Sequence, residues 1–356
     1  MKFDYRPGLE SIKAYSVEEK DWDIKLDANE SPNNMPPLVR EQVMNKLEYL
    51  AFNRYPEMGM RDLRTQIGRN FNMNIQNVQI GNGSSEIIMA LCQIFGGPGR
   101  SIVFPVPSFS MYAVYAQVTD SHPVPIPLST DDYSLPREKV LQAAEQSDAK
   151  LIILCNPNNP TGTVMPHEDI EYIVSQAKCP VLVDEAYFEF YGQSAVGLLN
   201  KYDNVIIART FSKAYGLAAA RVGYVLANAS IISMLERVLM PYHINSLSLA
   251  TAEILYQMRD EFMPGIEQII GERKRLAGSL EAIAGFKVYP SETNFILIKT
   301  AKSKQLSAYL STRNIGVRDF SAAPGLINCI RFTVGSPQEN DDLLKAILAF
   351  MKEGVV

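Results

Sequence analysis

Residues 210–224 read TFSKAYGLAAARVGY, and the place of Lys213 within this stretch decides the fold. The apolar run 205–208 ahead of it has the composition of a buried strand. The Ala, Leu and Gly that follow read as the opening of a helix, which sets the Lys213 amine at a strand-to-helix junction. Small neighbours let a planar ligand approach the amine. Ser212 and Arg221, on either side, suit a phosphate through charge-assisted hydrogen bonds. A lone loop lysine is ordinary surface chemistry, so its meaning depends on what the rest of the chain delivers to the same place.

Upstream, LIILC at 151–155 is an apolar run that breaks into NPNNPTG at 156–162, and residues 181–183 form another apolar run ending in Asp184, Glu185, Ala186 and Tyr187. Three buried strands thus deliver polar residues to one edge, where ligands of open α/β sheets bind. From residue 101 onward strands alternate with helices, a pattern that predicts a mostly parallel sheet with helices on both faces. GNGSSEII at 81–88 adds a glycine turn with Ser84 and Ser85 as caps before an amphipathic helix, a plausible phosphate cradle. It lacks the third glycine of a dinucleotide fingerprint and the lysine of a Walker loop, which disfavours a nicotinamide dehydrogenase.

Beyond residue 224 the pattern shifts to helices over 231–240, 246–258 and 261–283. Short strands and helices then alternate to the end. The expected organisation is α/β. An N-terminal arm (1–30) with the sole tryptophan, Trp22, precedes a large domain (31–255) whose mostly parallel sheet is sandwiched by helices, and a smaller α+β C-terminal domain (256–356) follows.

Composition narrows the function. Hydrophobic residues make up 47% of the 356, and 34 basic against 39 acidic residues give a net charge of -5 with no long block of one sign. That disfavours nucleic acid and polybasic membrane contact. Cys92, Cys155, Cys179 and Cys329 are scattered among apolar runs and read as core thiols in a reducing compartment, while His122, His167 and His243 form no ligand pattern, so no metal is expected. The N-terminus has no apolar signal core, and no run approaches the roughly 18 apolar residues of a membrane span. A cytoplasmic location is expected.

Asp184 supplies the second half of the argument. A carboxylate at the end of a buried strand is costly unless it meets a cation, and a protonated pyridine nitrogen is such a cation. Asn159 would then bond a ring hydroxyl, Asp184 the ring nitrogen and Lys213 an aldehyde carbon, while Ser84, Ser212 and Arg221 hold a phosphate. Together these match the parts of pyridoxal phosphate.

DANESP (27–32), RYPE (54–57), GNGSSEII, PSFSMY (107–112), NPNNPTG, DEAYFEF (184–190), the Lys213 stretch, VRDF (317–320) and IRFTVGSP (330–337) together span most of the chain. With these motifs the sequence resembles the class II pyridoxal-phosphate aminotransferases of the aspartate aminotransferase fold, fold type I, and most closely the histidinol-phosphate aminotransferase family. The resemblance implies that Lys213 carries the cofactor covalently and, once released, shuttles the proton between substrate and cofactor carbons. It implies that Asp184 pairs with the ring nitrogen, that Tyr187 and Asn159 bind the ring hydroxyl, and that Ser84, Ser85, Thr210, Ser212 and Arg221 bind the phosphate. Tyr55 would reach the phosphate of the neighbouring subunit, which implies a homodimer. Phe109 stands where the family usually has a stacking tyrosine, so stacking survives without a phenol. Arg331 and Arg318, with Tyr15 closing over them and Asn159 beside them, would bind substrate. The implied reaction converts imidazole-acetol phosphate and glutamate into histidinol phosphate and 2-oxoglutarate. Aromatic amino acid transamination and threonine-phosphate decarboxylation are the nearest alternatives. A catalytically silent binding module is the alternative of a different class, and the intact Lys213 and Asp184 argue against it.

Overall fold

The computed structural model describes residues 3, 6, 8–12 and 20–353. Tyr15 and much of the expected arm lie outside the described residues. The strands, in chain order, are β1 (Ile24–Leu26), β2 (Val78–Gly81), β3 (Ser101–Val106), β4 (His122–Pro127), β5 (Ala149–Cys155), β6 (Val181–Asp184), β7 (Val205–Thr210), β8 (Gly223–Ala227), β9 (Lys287–Val288), β10 (Phe295–Lys299), β11 (Ile315–Asp319) and β12 (Cys329–Thr333). They form a large sheet in the order β2-β8-β7-β6-β5-β3-β4 and a small sheet in the order β1-β11-β12-β10-β9.

The pairs β4/β3, β3/β5, β5/β6 and β6/β7 are parallel, whereas β8 runs antiparallel to both β7 and β2. Every residue of β6 and β7 is buried. Unbroken apolar runs such as VLV and VII are what a parallel sheet needs when helices cover both faces. The carboxyl ends of β5, β6 and β7 therefore lie side by side and carry the NPNNPTG loop, Asp184 and the Lys213 loop.

The expected strand-to-helix junction at Lys213 is not formed. Residues 211–222 make successive turns, and the chain returns as β8. Gly216 at φ 60° and Arg221 at φ 55° both take left-handed backbone, so the alanines between them cannot continue a right-handed helix. The loop is closed by Phe211 N–H to the Val222 carbonyl at 3.0 Å and by Leu217 N–H to the Phe211 carbonyl at 3.0 Å. Gly216 lies so close to the segment before the first long helix that an added Cβ would be 2.9 Å from the Asn33 carbonyl oxygen.

The small sheet draws on both ends of the described chain. β1 pairs in parallel with β11, and the Trp22 ring lies against Gly316, where an added Cβ would sit 2.8 Å from it. The helix Ser246–Gln257, which crosses residue 255, packs on the helices Pro37–Glu48 and Arg61–Asn70. A short 3-10 turn, Arg259–Phe262, separates it from the helix Met263–Glu281.

A buried ion pair ties β6 to β7 just beneath the ligand edge. Arg209 donates through Nε and Nη2 to Glu185 Oε2 at 2.9 and 2.8 Å, and Ser194 Oγ and the Ala195 N–H donate to Glu185 Oε1. The Arg209 guanidinium lies 3.6 Å above the Phe188 ring. Both side chains are 2% exposed, so removing one strands the other in a dry interior. Glu185→Ala is expected to lower unfolding stability by roughly 3–5 kcal/mol. Glu145→Ala, at the exposed pair with Lys178, should cost about 1 kcal/mol or less in the same denaturation experiment. Equal shifts for the two variants would refute the stabilising role of the buried pair.

Candidate active site

Asp184 is the last residue of β6, opposite Cys155 on β5 and Ala208 on β7. Its Oδ2 accepts the Tyr112 phenol at 2.7 Å and its Oδ1 accepts the Ala186 N–H at 3.2 Å. Burial pushes the carboxyl up to about 6, against the pull of those two donors. Among the described residues no cation pairs with it.

Lys213 is half-buried, and its Nζ donates to the Ala28 carbonyl at 3.1 Å. Desolvation first, then the positive charge of Arg331, brings its amine down to about 8 from an ordinary 10.5. Glu30 opposes the shift and Arg221 adds to it. A half-dry cavity holding more positive than negative charge favours the neutral amine, the form a nucleophile or general base requires.

The loop after β7 and the helix Gly83–Phe95 meet in a cradle. Arg221 Nη1 donates to Ser212 Oγ at 3.2 Å, and Thr210 Oγ1 donates to the same oxygen at 3.0 Å. A Cβ on Gly83 would fall 2.7 Å from Arg221 Nη2, and one on Gly223 would fall 2.5 Å from the Ser84 nitrogen. The two glycines thus let the guanidinium and the first-turn amides converge. Ser84 and Ser85, expected as caps, lie inside the first turn. Asn82 is the cap position, and its N–H donates to Glu86 Oε2 at 2.6 Å, which fixes the helix start ahead of the serines. Open first-turn N–H groups together with a guanidinium form an anion site.

A third group converges from the small sheet. Arg331 Nη1 donates to Asn159 Oδ1 at 2.6 Å and Nη2 to the Asp27 carbonyl at 2.8 Å. Arg318 is the direct cross-strand partner of Arg331, so both side chains leave the same face of the small sheet. The Tyr187 phenol accepts Asn29 Nδ2 at 2.9 Å, and its ring meets Phe295 edge-on. Phe109 stands edge-on to Tyr112, with ring centroids 5.5 Å apart.

The structure thus links Lys213, Asn159, Tyr187 and Arg331 through residues 27–29, and Ser84, Thr210, Ser212 and Arg221 through the cradle. It does not bring Tyr55 to either group. Tyr55 is 80% exposed and stacks on Tyr242 at 4.5 Å. Sequence reading missed Tyr112 and Asn29. The motif PSFSMY places Tyr112 three residues after Phe109, one helical turn away, and DANESP contains Asn29, but neither contact partner is nearby in sequence.

These features fit pyridoxal phosphate. A buried carboxylate without a cation suits a protonated ring nitrogen, the cradle kept open by Gly83 and Gly223 suits a phosphate, and Lys213 supplies an amine of lowered pKa. Fold and site together define a pyridoxal-phosphate-dependent enzyme of fold type I. Residues 22–347 match the aminotransferase class I and II family. The histidinol-phosphate aminotransferase of Caldanaerobacter subterraneus subsp. tengcongensis is 38% identical over 96% of this chain and 97% of its own length, and that of Thermoanaerobacter sp. strain X514 is 40% identical with the same coverage. In structure, the histidinol-phosphate aminotransferase from Sinorhizobium meliloti in complex with pyridoxal-5'-phosphate matches with a TM-score of 0.89 at 24% identity, covering 98% of both chains. L-threonine-O-3-phosphate decarboxylase from Porphyromonas gingivalis matches at 0.80 and 22% identity, over 92% of this chain and 99% of that one. At such identities these two likenesses speak for the fold. The chain belongs to the class I and II aminotransferases, in the histidinol-phosphate aminotransferase branch.

Because the free amine is the reactive form, labelling of Lys213 in the cofactor-free protein by an acylating reagent should rise with pH to a half-maximum near 8. Peptide mass spectrometry across a pH series reads this directly, and a midpoint above about 10, the ordinary lysine range, would refute the lowered amine.

Proposed function

We propose that the chain catalyses amino transfer between histidinol phosphate and 2-oxoglutarate, as a step of histidine biosynthesis. The observation that carries the choice of substrate is the pairing of Arg318 with Arg331 on one face of β11 and β12, with Arg331 already turned toward Asn159. A carboxylate occupies one guanidinium. A phosphate has the charge and the oxygens for two.

Bound in this site, pyridoxal phosphate supplies an electron sink for negative charge at the substrate carbon. Lys213 would hold the cofactor through its amine and, as a neutral amine, would move the proton between the substrate carbon and the cofactor carbon. Asp184 holds the proton on the ring nitrogen. Tyr187 and Asn159 bind the ring hydroxyl oxygen, and Phe109 covers the ring face. Ser84, Ser85, Thr210, Ser212 and Arg221 hold the phosphate. Arg331 grips the carboxylate of glutamate or 2-oxoglutarate in one half-reaction and, with Arg318, the phosphate of histidinol phosphate in the other.

The functional unit we propose is a homodimer with shared sites. Tyr55 lines an open groove of about 730 Å³ with Leu50, Phe52, Pro241, Tyr242 and Leu247. Tyr49, Phe52, Met58 and Met240 are exposed in neighbouring stretches of sequence. Apolar surface on this scale suits a second copy, with Tyr55 reaching the partner's phosphate cradle. We place the enzyme in the cytoplasm. Its four cysteines are buried free thiols, and no helix among the described residues is long and apolar enough to cross a membrane.

A substrate panel of histidinol phosphate, phenylalanine, tyrosine and threonine phosphate, each with 2-oxoglutarate, tests the reading. Histidinol phosphate should give the highest kcat/KM. Truncating one partner of a buried charge contact costs roughly 2–5 kcal/mol, so Arg318→Ala should lower kcat/KM for histidinol phosphate by at least about thirty-fold. The loss for phenylalanine should be much smaller. Equal losses would make Arg318 a structural residue, and a wild-type preference for phenylalanine would make the enzyme an aromatic aminotransferase. For the dimer, mixing Tyr55→Phe chains with Lys213→Ala chains should produce one doubly damaged and one intact site per heterodimer and so recover activity. Activity equal to the sum of the unmixed variants would refute shared sites.

A further inference from the structure

Tyr112 is the second residue of the helix Met111–Val118 and has no solvent exposure. It is packed with Phe104, Ile153 and Cys155, and its hydroxyl crosses 72 residues of sequence to donate to Asp184 Oδ2. Among the described residues the other groups facing Asp184 are the Ala186 N–H, the Cys155 thiol on β5, the neighbouring Glu185 carboxylate and the Tyr115 and Tyr187 phenols. Apart from the Ala186 N–H, the Tyr112 hydroxyl is the donor that stabilises negative charge on this carboxylate.

We propose that Tyr112 is a positioning residue for the reaction: its O–H to Oδ2 hydrogen bond orients the Asp184 carboxylate and keeps it ionised, so that Asp184 pairs with a protonated ring nitrogen instead of taking that proton. The inference rests on the reading of Asp184 as the partner of the cofactor's ring nitrogen. A buried carboxylate without a cation is driven toward its neutral form, and a donor hydrogen bond to the charged form opposes that drive. The separation of 2.7 Å is in the range of a charge-assisted O–H to carboxylate bond. Burial, and after it the Asp184 charge, raise the phenol well above its ordinary pKa, so it stays a donor at every working pH. Water cannot take its place, because the hydroxyl sits on a ring with no exposed surface. Phe109, one turn earlier, contacts the Tyr112 ring, so one helix start sets both the stacking residue and the orientation of the carboxylate.

Tyr112→Phe keeps the ring and removes only the hydroxyl. Two readouts independent of turnover apply: the dissociation constant for pyridoxal phosphate titrated into cofactor-free protein, and the 15N signal of ring-labelled pyridoxal phosphate bound to the protein. Losing a hydrogen bond to a charged group should weaken binding by about ten- to a hundred-fold. The nitrogen signal should move toward the unprotonated position, because an Asp184 of higher proton affinity competes for the proton. Tyr112→Leu, which also removes the ring, should lower the thermal stability further but leave the nitrogen signal where Tyr112→Phe puts it. Wild-type affinity and a wild-type nitrogen signal in Tyr112→Phe would overturn the proposal, as would a nitrogen signal that moves only when the ring is removed. Failure of the underlying reading has its own signature: a wild-type nitrogen signal that Asp184→Asn leaves unmoved overturns both.

Discussion

Two consecutive carboxylates at the end of β6 divide the work on which the site depends. Glu185 is neutralised inside the protein by Arg209, with Ser194 and the Ala195 N–H taking its other oxygen. Asp184, one residue earlier, is also buried but among the described residues has only neutral donors. The first arrangement fixes β6 against β7 and so sets where the Lys213 loop begins. The second leaves a charge that only a ligand can balance. Had a protein cation reached Asp184, the edge would be more stable alone and of no use to a protonated pyridine, which is the usual exchange between stability and function at a strained or unsatisfied site.

Residues 27–29 join the two sheets chemically as well as topologically. β1 is an edge of the small sheet, and the next three residues give the Asp27 carbonyl to Arg331, the Ala28 carbonyl to Lys213 and the Asn29 amide to Tyr187. Asn29 takes left-handed backbone at φ 54°, and its N–H donates to Thr333 on β12. In the proposed reaction a substrate anion at Arg331 would compete with the Asp27 carbonyl, and engagement of the Lys213 amine would compete with the Ala28 carbonyl. Both events therefore act on the same three residues, which lie between the small sheet and the large one.

Much of this was legible in the sequence because the large sheet is written in uninterrupted apolar runs. LIILC, VLV and VII are too apolar for one-sided burial, and the polar residues that terminate them, Asn159, Asp184 and Lys213, fall at the ligand edge without further information. The error at Lys213 came from an alanine run with good helix propensity, overridden by two left-handed residues and by the pairing of GYVLA with β7 and β2. β1 is three residues long, below what periodicity detects, and its existence depends on β11. Tyr112 and Asn29 look like any buried aromatic and any turn asparagine until the fold supplies their partners. The role proposed for Tyr55 rests on the family resemblance, since a single chain shows it stacked on Tyr242 and facing solvent.

The electrostatics of the site run against those of the chain. The molecule carries a net charge of -5, yet its ligand edge collects Lys213, Arg221, Arg331 and Arg318 against Asp184 and Glu30. The positive neighbours that depress the Lys213 amine, Arg331 first and Arg221 after Glu30, are also the groups suited to phosphate and carboxylate oxygens. One cluster of guanidiniums therefore performs two tasks. In the proposed reaction it would draw anionic ligands to a protein of the same overall sign, and it adds to the burial that is the larger cause of the lowered Lys213 amine. Replacing either arginine by a neutral donor of similar size would preserve some of the hydrogen bonding but weaken the attraction for anions and remove one of the charges that, after burial, lower the Lys213 amine, so in the proposed reaction charge, and not hydrogen-bonding capacity alone, is what these positions supply.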